Sequence, residues 1–419
     1  MHHFTYREDE LYCEDVPVQE IAAEIGTPFY LYSHATLTRH FKAFSEAFAG
    51  MQKLICFSAK ANTNLAILKL FATAGCGLDI VSGGELFRGI QAGFTPDRIV
   101  YSGVGKRIDE IDYALKSDIL MFNLESLDEL KLISQRAGRL NRRARIAIRV
   151  NPDVDPKTHP YISTGLKKNK FGIDTAAALE GYRLAGSLEN IEVIGIDCHI
   201  GSQITEAGPF EDALKSIKSL VLQLKSDLGI QIQYIDMGGG LGITYADETP
   251  PSLKEYAKAF LKNLEGMGLT LILEPGRVLV GNAGILVTRV LYKKAGKGKN
   301  FIIVDAGMND LMRPTLYNAF HAIEPIVRTQ TPLPVADVVG PICESGDFLG
   351  VDRNLTEASA DDLLAVMSTG AYGFVMSSNY CSRPRVAEVM VKNNQYHVVK
   401  ERETYQDLVK GESIPSFMA

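Results

Sequence analysis

Short apolar runs that alternate with helical segments constrain the fold of this chain most strongly. Between about residues 30 and 280 such runs recur every 20 to 45 residues, and the stretches between them have the spacing of amphipathic helices. This alternation predicts an α/β architecture with a parallel sheet. Eight strand-helix units in roughly 250 residues favour a closed (β/α)8 barrel over an open doubly wound sheet. The eight runs are 54–57, 78–81, 99–101, 119–122, 146–150, 193–196, 234–237 and 271–273.

After residue 280 the pattern changes to short strands separated by turns rich in Gly, Asn and Pro. Strands are predicted at 285–292, 301–305, 336–339, 363–367, 373–377 and 388–392. Residues 4–15 also alternate apolar and polar side chains, which predicts a strand or hairpin that pairs with this later region. We therefore expect an N-terminal segment, 1–32, that joins the β domain, a TIM barrel at 33–280, and a C-terminal β domain at 281–419.

Charge and cysteine content exclude several classes of function. The 44 basic and 50 acidic residues form no long blocks, so nothing attracts the chain to nucleic acid or to an anionic membrane, and a small-molecule partner is expected. The six cysteines show no CxxC pair and no metal-ligand spacing, which favours a reducing cytoplasm and predicts no bound metal. The N-terminus lacks a secretory signal pattern, and no apolar run is long enough to span a bilayer.

Polar side chains follow every predicted barrel strand. Barrel enzymes build their active sites from the loops at the carboxyl ends of the strands, so residues at these positions are candidates for one shared site. Strand ends are often polar for no functional reason, but a chemically useful group at all eight ends argues against that explanation. The residues are Lys60, Ser82, Ser102, Asn123, Arg149 with Asn151, His199, the glycines at 238–240, and Glu274.

A lysine flanked by small residues follows the first predicted strand, in the segment CFSAKAN (56–62). Imine formation needs an amine that is partly deprotonated near neutral pH, and burial at a barrel mouth favours that state. Lys60 is therefore a candidate to bind pyridoxal phosphate, and a surface lysine is the structural alternative. Glu274 fits the same cofactor, because a carboxylate keeps its pyridine nitrogen protonated. The structural alternative for Glu274 is pairing with Arg277.

Three successive glycines follow the seventh predicted strand, in DMGGGLG (236–242). Successive unobstructed backbone N–H groups hold phosphate, and the spacing lacks the features of nucleotide P-loops and dinucleotide sites. Gly239 and Gly240 therefore predict a monophosphate cofactor, with an ordinary tight turn as the alternative. His199 is a candidate to lie over the face of that cofactor, and Ser202 to donate to its phosphate. A core histidine bonded to the backbone is the alternative for His199.

Two arginines suit a substrate that carries a carboxylate far from the reacting carbon, because a guanidinium binds carboxylates through two parallel hydrogen bonds. They are Arg277, close to Glu274 in sequence, and Arg313 in the predicted β domain. Glu344 is a candidate to bind a second ammonium group. The structural alternative for Arg313 is a bridge between domains.

Together, these segments resemble the fold-type III pyridoxal-phosphate decarboxylases, and among them closely the diaminopimelate decarboxylases. The resemblance covers nearly the whole chain. It implies a barrel with a C-terminal β domain that takes in the N-terminal strand, and a head-to-tail homodimer with its active sites at the subunit interface. The most specific motifs are NPDVDPKTH (151–159), KFG (170–172), RPTLY (313–317) and GPICES (340–345).

The resemblance also implies a role for each site residue. Lys60 would carry the cofactor as a Schiff base, with His199 against the pyridine ring and Glu274 at its nitrogen. Cys343, supplied by the neighbouring subunit, would reprotonate the α-carbon. The phosphate would be bound by Ser202, Gly239, Gly240, Gly276, Arg277 and Tyr372. The distal groups of the substrate would be bound by Arg277, Arg313, Tyr317, Glu344 and Tyr372.

The reaction implied is the decarboxylation of meso-2,6-diaminopimelate to L-lysine and CO2, the last step of that route to lysine. A rival hypothesis is a decarboxylase of the same fold that acts on ornithine, arginine or carboxynorspermidine, but ornithine lacks the second carboxylate that Arg313 and Tyr317 would bind. Three further hypotheses are an alanine racemase type of enzyme, a pyridoxal phosphate carrier without turnover, and a sugar-phosphate barrel without cofactor. The arginines of the β domain argue against the carrier.

Overall fold

The structure is a computed structural model that describes residues 2–154, 170–296, 298–329, 331, 333–356 and 358–418. Residues 155–159 of the NPDVDPKTH motif lie outside the described residues. The chain divides into two compact units. We call Thr38–Leu279 the barrel unit, and Met1–Leu37 together with Val280–Ala419 the β unit.

The strands of the described residues are numbered in chain order. They are β1 (Phe4–Arg7), β2 (Glu10–Cys13), β3 (Val16–Pro17), β4 (Phe29–Ser33), β5 (Lys53–Ser58), β6 (Gly77–Ile80), β7 (Ile99–Tyr101), β8 (Met121–Leu124), β9 (Ala144–Asn151), β10 (Ile173–Asp174), β11 (Ile191–Asp197), β12 (Tyr234–Asp236), β13 (Thr270–Leu273), β14 (Gly284–Gly296), β15 (Lys299–Val304), β16 (Ile323–Pro325), β17 (Ala336–Val339), β18 (Phe348–Arg353), β19 (Leu363–Val366), β20 (Ala387–Lys392) and β21 (Gln395–Lys400).

The α-helices are numbered in the same way. They are α1 (Val18–Ile25), α2 (His34–Ala47), α3 (Leu65–Thr73), α4 (Gly83–Ala92), α5 (Ile108–Ser117), α6 (Leu127–Arg139), α7 (Thr175–Ser187), α8 (Gly208–Leu228), α9 (Leu253–Leu264), α10 (Arg277–Val280), α11 (Arg313–Tyr317) and α12 (Tyr405–Leu408). No helix among the described residues is both long and apolar enough to cross a membrane.

The barrel unit is built on a closed ring of eight parallel strands. They are hydrogen-bonded in the order β5-β6-β7-β8-β9-β11-β12-β13, and β13 pairs with β5 to close the ring. The two-residue strand β10 adds to β9. Each of the eight predicted runs corresponds to one of these strands, and the predicted (β/α)8 barrel with a separate β domain is confirmed.

Short capping side chains start several barrel helices directly after the strand ends. Asn64 accepts a hydrogen bond from the backbone of α3, Ser82 from that of α4, and Ser126 from that of α6. Each cap satisfies a backbone N–H that has no partner inside its helix, which stabilises the helix by about 1 kcal/mol. The caps therefore end the βα loops close to the carboxyl ends of the strands, where a barrel site forms.

The strands of the ring change character along their length. Buried apolar side chains such as Leu54, Val100 and Ile272 form one cluster contributed by strands around the ring. Burying a side chain of this size stabilises the fold by about 1.5–3 kcal/mol relative to leaving it exposed. Nearer the carboxyl ends, buried strand positions carry Asp79 and Asp236 instead. The barrel thus has an apolar core and a polar end.

The β unit contains a sheet in the order β18-β17-β15-β14-β4-β20-β21, with β19 paired to β14 and β16 paired to β19. Strand β4 comes from the N-terminal segment and lies between β14 and β20. Its buried Phe29 and Leu31 pack with Ile285 and Val287 of β14 and with Val389 of β20. The N-terminal segment therefore supplies an interior strand of this sheet.

The predicted hairpin at 4–15 forms, as β1 and β2, and β3 extends it to a three-stranded sheet. Its contact with the later region is local. Glu10 and Val327 form an isolated antiparallel bridge, and the backbone N–H of Leu11 donates to the carbonyl of Ile326 at 2.8 Å. The extended pairing with the C-terminal strands is made by β4, which the sequence pattern does not single out.

The prediction of a strand at 373–377 is wrong. Residues Phe374–Met376 form a 3-10 turn, in which the backbone N–H of Met376 donates to the carbonyl of Gly373 at 2.9 Å. Tyr372 has a left-handed conformation (φ 56°), which an extended strand does not have. A Cβ at Gly373 would lie 2.4 Å from the carbonyl oxygen of Thr369, so the backbone here folds back closely on itself.

Candidate active site

The barrel residues predicted for the site lie together around the carboxyl ends of the strands. Lys60 is in the 3-10 turn that follows β5, and His199 comes two residues after the end of β11. The glycines at 238–240 follow β12, and Glu274 follows β13 directly. Because parallel strands all end on one side of the ring, these groups share one face of the barrel unit.

Lys60 forms an ion pair with a carboxylate inside the barrel. Its Nζ donates to Asp79 Oδ2 at 2.9 Å, and the Asp79 side chain is fully buried while that of Lys60 is 35% exposed. The Ser58 hydroxyl lies 2.8 Å from the same carboxylate oxygen. The lysine head group is therefore directed to the strand ends by a fixed anion, and it still reaches solvent from which a cofactor can enter.

Five carboxyl groups are buried at this end of the barrel, on Asp79, Glu125, Asp197, Asp236 and Glu274. Burial raises the pKa of Glu274 well above its usual range, and the neighbouring Asp236 and Asp79 raise it further. Burial also raises the pKa of Asp236 to about 6, against the opposing effect of hydrogen bonds from Gly238, Asn123 and Glu274.

Burial therefore favours the protonated form of Glu274. Its Oε1 lies 3.3 Å from the Ser102 hydroxyl, and that hydroxyl in turn accepts from the Asn123 side-chain amide at 3.1 Å. A carboxyl group that holds a proton in a desolvated site can form a hydrogen bond to a basic nitrogen and share that proton with it. This is the chemistry that a pyridine nitrogen requires.

His199 is a neutral base in this environment. Burial lowers the pKa of its imidazole well below its usual range, and the nearby cations of Arg149 and Lys60 lower it further. The backbone N–H of Gly239 donates to Nδ1 at 3.2 Å, so the ring hydrogen is on Nε2. An uncharged, fixed imidazole suits packing against the face of an aromatic cofactor.

The glycine run forms a cradle that side chains would fill. A Cβ at Gly239 would lie 2.1 Å from the carbonyl oxygen of Glu274, and one at Gly240 would lie 2.5 Å from that of Gly201. Gly240 also has a left-handed conformation (φ 110°), which favours glycine. Backbone therefore approaches backbone here without obstruction, as a phosphate nest requires, so the residues present fit a monophosphate cofactor.

Arg277 begins α10 and is held by two hydroxyl groups. Its guanidinium donates to the Tyr245 hydroxyl at 2.7 Å and to Ser202 Oγ at 3.1 Å. Because Ser202 accepts this bond, its own hydrogen is available for another acceptor, such as a phosphate oxygen. Gly276, the preceding residue, lies close to Ser58 and Ala61, since a Cβ there would be 3.1 Å from each.

The remaining predicted site residues belong to the β unit. Arg313 and Tyr317 begin and end α11, four residues apart, so both lie on one face of that helix. Cys343 and Glu344 are exposed in the loop between β17 and β18. Tyr372 is half-buried after β19.

Glu344 has a partner that the sequence did not suggest. The Tyr380 hydroxyl donates to Glu344 Oε2 at 2.9 Å, and this carboxylate raises the pKa of the Tyr380 phenol. The hydrogen bond limits the conformations that Glu344 can adopt. It therefore favours a defined carboxylate position in this exposed loop.

Five residues of the site have no role predicted from the sequence. Four of them are the buried acids Asp79, Glu125, Asp197 and Asp236, and the fifth is Tyr245. Asp236 stands in the glycine motif, which assigns it no role. A signal for the acids was present. Each stands in or at the end of a strand that is otherwise apolar, and a carboxylate in such a strand is costly unless it serves a site. Tyr245 lies in a loop, and nothing in its local sequence marks it.

The fold and these groups define the class of the protein. Residues 34–281 match the family described as "Pyridoxal-dependent decarboxylase, pyridoxal binding domain". The chain belongs to the pyridoxal-dependent decarboxylases, and its cofactor is pyridoxal phosphate. The resemblance inferred from the motifs is thereby confirmed, and the barrel without cofactor is excluded.

Within this class the chain is similar to proteins named diaminopimelate decarboxylase. It is 50% identical to that of Aquifex aeolicus over 97% of this chain and 96% of the relative, and 51% identical to that of Vibrio cholerae over 99% of both. A crystal structure of the Helicobacter pylori enzyme complexed with L-lysine covers 94% of this chain and 98% of that chain, with a TM-score of 0.91 and 44% identity. The crystal structure of the enzyme from M. jannaschii, also with L-lysine, covers 100% of both chains, with a TM-score of 0.95 and 37% identity.

Proposed function

We propose that this protein decarboxylates meso-2,6-diaminopimelate to L-lysine and CO2, the last step of lysine formation by that route. The observation that carries the proposal is similarity of about 50% identity to diaminopimelate decarboxylases across both units, not across the cofactor-binding barrel alone. Two structures of such enzymes are complexes with L-lysine, the product of the proposed reaction.

Lys60 is proposed to hold the cofactor covalently through its amine. When bound, pyridoxal phosphate supplies a sink for the electron pair released as CO2 leaves. Glu274 would hold a proton for the pyridine nitrogen, and the neutral ring of His199 would contact the bound cofactor. The phosphate is assigned to Ser202, Gly239, Gly240, Gly276, Arg277 and Tyr372.

The distal end of the substrate is assigned mainly to the β unit. Arg313 and Tyr317, with Arg277, are proposed to bind the distal carboxylate, and Glu344 the distal ammonium, with Tyr372 lining the same region. A substrate that lacks the carboxylate leaves a cation of this site unpaired, which strongly disfavours its binding. Both distal groups remain in L-lysine after CO2 has left.

Cys343 is proposed to deliver the proton that replaces CO2, and to do so from the neighbouring subunit of a homodimer. Its exposed position in the β unit is compatible with a role across a subunit interface. We further propose that the enzyme works in a reducing cytoplasm, because all six cysteines are free and an exposed thiol needs such surroundings to stay reduced.

The test is an assay of meso-diaminopimelate decarboxylation with the wild type, Lys60→Ala, and the exposed control Lys42→Ala. We expect Lys60→Ala to lose activity by on the order of 1000-fold or more and to lose the cofactor absorbance near about 420 nm. Lys42→Ala should keep both. Full activity and colour in Lys60→Ala would refute the role of Lys60. Equal turnover of ornithine by the wild type would refute the choice of substrate.

A further inference from the structure

His321 is a fully buried residue of the β unit with a hydrogen bond at each ring nitrogen. Its Nδ1 lies 2.8 Å from the carbonyl oxygen of Met367. Its Nε2 lies 2.8 Å from an NH1 nitrogen of Arg313. The ring therefore connects the backbone after β19 to the guanidinium at the start of α11.

The chemistry of the two partners determines the state of the ring. A carbonyl oxygen only accepts hydrogen bonds, so Nδ1 must carry the hydrogen and donate it. A guanidinium only donates, so Nε2 must accept. A single form, the neutral imidazole with its hydrogen on Nδ1, satisfies both contacts. The hydrogen bond to the Met367 carbonyl therefore orients the His321 ring, and the ring in turn orients Arg313.

The local chain path brings the two residues together. Helix α11 ends at Tyr317, and the next residue, Asn318, has a left-handed conformation (φ 51°) that turns the chain back. His321 follows Asn318 by three residues. Arg313 is itself 6% exposed, so its guanidinium is largely enclosed beside this ring. A planar guanidinium held at one nitrogen has few orientations left for its remaining donors.

We propose that His321 is a positioning residue that determines the selectivity of the enzyme for ligands with a distal carboxylate. It acts by holding the Arg313 fork in the orientation that binds this group through two hydrogen bonds. The inference rests on the proposed function, in which Arg313 binds the carboxylate that L-lysine retains. A histidine that serves only to fill the core would affect all ligands alike.

Two substitutions separate these roles. His321→Asn keeps an amide near the position of Nδ1, within reach of the Met367 carbonyl, and has no atom near the position of Nε2. His321→Gln extends further and offers a carbonyl oxygen that can accept from Arg313. The matched control is His397→Asn, because His397 is an exposed histidine of the same unit.

The measurement is calorimetric titration of the cofactor-loaded proteins with L-lysine and with cadaverine, which lacks the carboxylate. We expect His321→Asn to weaken L-lysine binding by about 10- to 100-fold and cadaverine binding by less than about 3-fold. His321→Gln should recover most of the L-lysine affinity, and His397→Asn should match the wild type. In turnover, His321→Asn should raise KM for meso-diaminopimelate with little change in kcat.

A parallel loss for both ligands in His321→Asn would overturn the proposal, because it would indicate a structural role alone. An unchanged preference for L-lysine would overturn it as well. If His321→Gln fails to fold, His321→Asn still decides, because it must lose the preference for L-lysine. If His321→Asn fails to fold, a loss of the preference in His321→Gln would overturn the proposal. Failure of the proposed function has a different result, in which the wild type neither turns over meso-diaminopimelate nor prefers L-lysine.

Discussion

Asp236 and Glu274 keep two carboxyl groups out of water at the ends of neighbouring barrel strands. Two ionised carboxylates in such a place would repel each other and lack solvation, so the pair retains a proton. A hydrogen bond between the groups lowers the pKa of Asp236, and the charge of Asp236 raises the pKa of Glu274. Both effects favour Glu274 as the group that carries the proton. The barrel thus stores the proton that a bound pyridine nitrogen needs.

This arrangement predicts a pH effect on the stability of the cofactor-free protein. The folded pKa of Asp236, about 6, is above the value of about 4 in an unfolded chain, so its contribution to stability is present below pH 4 and is lost as pH rises to 6. Asp236→Asn removes this titration. The quantity to compare is the unfolding free energy of the variant minus that of the wild type. This difference should increase by roughly 1–3 kcal/mol from pH 4.5 to pH 7, because only the wild type loses the contribution of Asp236.

Urea unfolding at the two pH values measures this difference, and the exposed Asp247→Asn provides the control in the same unit. The control should follow the wild type at both pH values. If the Asp236→Asn difference were the same at pH 4.5 and pH 7, Asp236 would not be the titrating group.

Residues whose role depends on their own strand could be predicted from the sequence, and residues whose role depends on a distant contact could not. Lys60 and Glu274 follow strand ends, so the barrel pattern alone placed them on a common face. Asp79 is marked in the sequence only as a carboxylate in an apolar strand, and its pairing with Lys60 depends on the contact between two strands. His321 meets Arg313 because the chain turns back at Asn318, and no spacing rule predicts that contact.

Strand β4 connects the N-terminal segment to the sheet of the β unit by pairing on both of its edges. It pairs antiparallel with β14 and parallel with β20. On β4 the Tyr32 hydroxyl donates to Glu388 Oε1 of β20 at 2.7 Å, and both side chains are buried. A carboxylate inside a sheet is tolerated when donors are arranged around it, so this bond fixes the partner of β4.

Tyr32→Phe should destabilise the β unit by about 1–3 kcal/mol, because it removes one donor from the buried Glu388 carboxylate without changing the packed ring. Differential scanning calorimetry should show a transition lowered by a few degrees. Tyr405→Phe, at a tyrosine that is 75% exposed in the same unit, should leave the transition unchanged. Equal transitions for the two variants would indicate that the Tyr32 bond contributes nothing to stability.

The sequence predicts the barrel strands better than the strands of the β unit, because the two sets of strands differ in burial. Barrel strands are buried on both faces, so each appears as an apolar run bounded by a polar end, and all eight were found. In the β unit the strands face different surroundings, and the sequence pattern does not predict β3, β4, β16, β18 and β21. The segment 373–377 has the composition of a strand, yet the tight return at Gly373 overrides it. Close backbone contacts of this kind depend on the tertiary fold.

For the whole molecule, the proposed homodimer makes a testable claim about which chain provides each residue. If Lys60 and Cys343 of one active site come from different subunits, Lys60→Ala and Cys343→Ala are both inactive alone but complement each other. In an equal mixture half of the two-fold symmetric dimers are hybrids, and each hybrid has one intact site, so about a quarter of wild-type activity should return. The assay is CO2 release after the two purified variants are dissociated and reassociated together.

A mixture of Lys60→Ala with Glu274→Ala should stay inactive, because both changes affect the barrel unit of the same site. A Lys60→Ala and Cys343→Ala mixture as inactive as its parents would place both residues of a site in one chain.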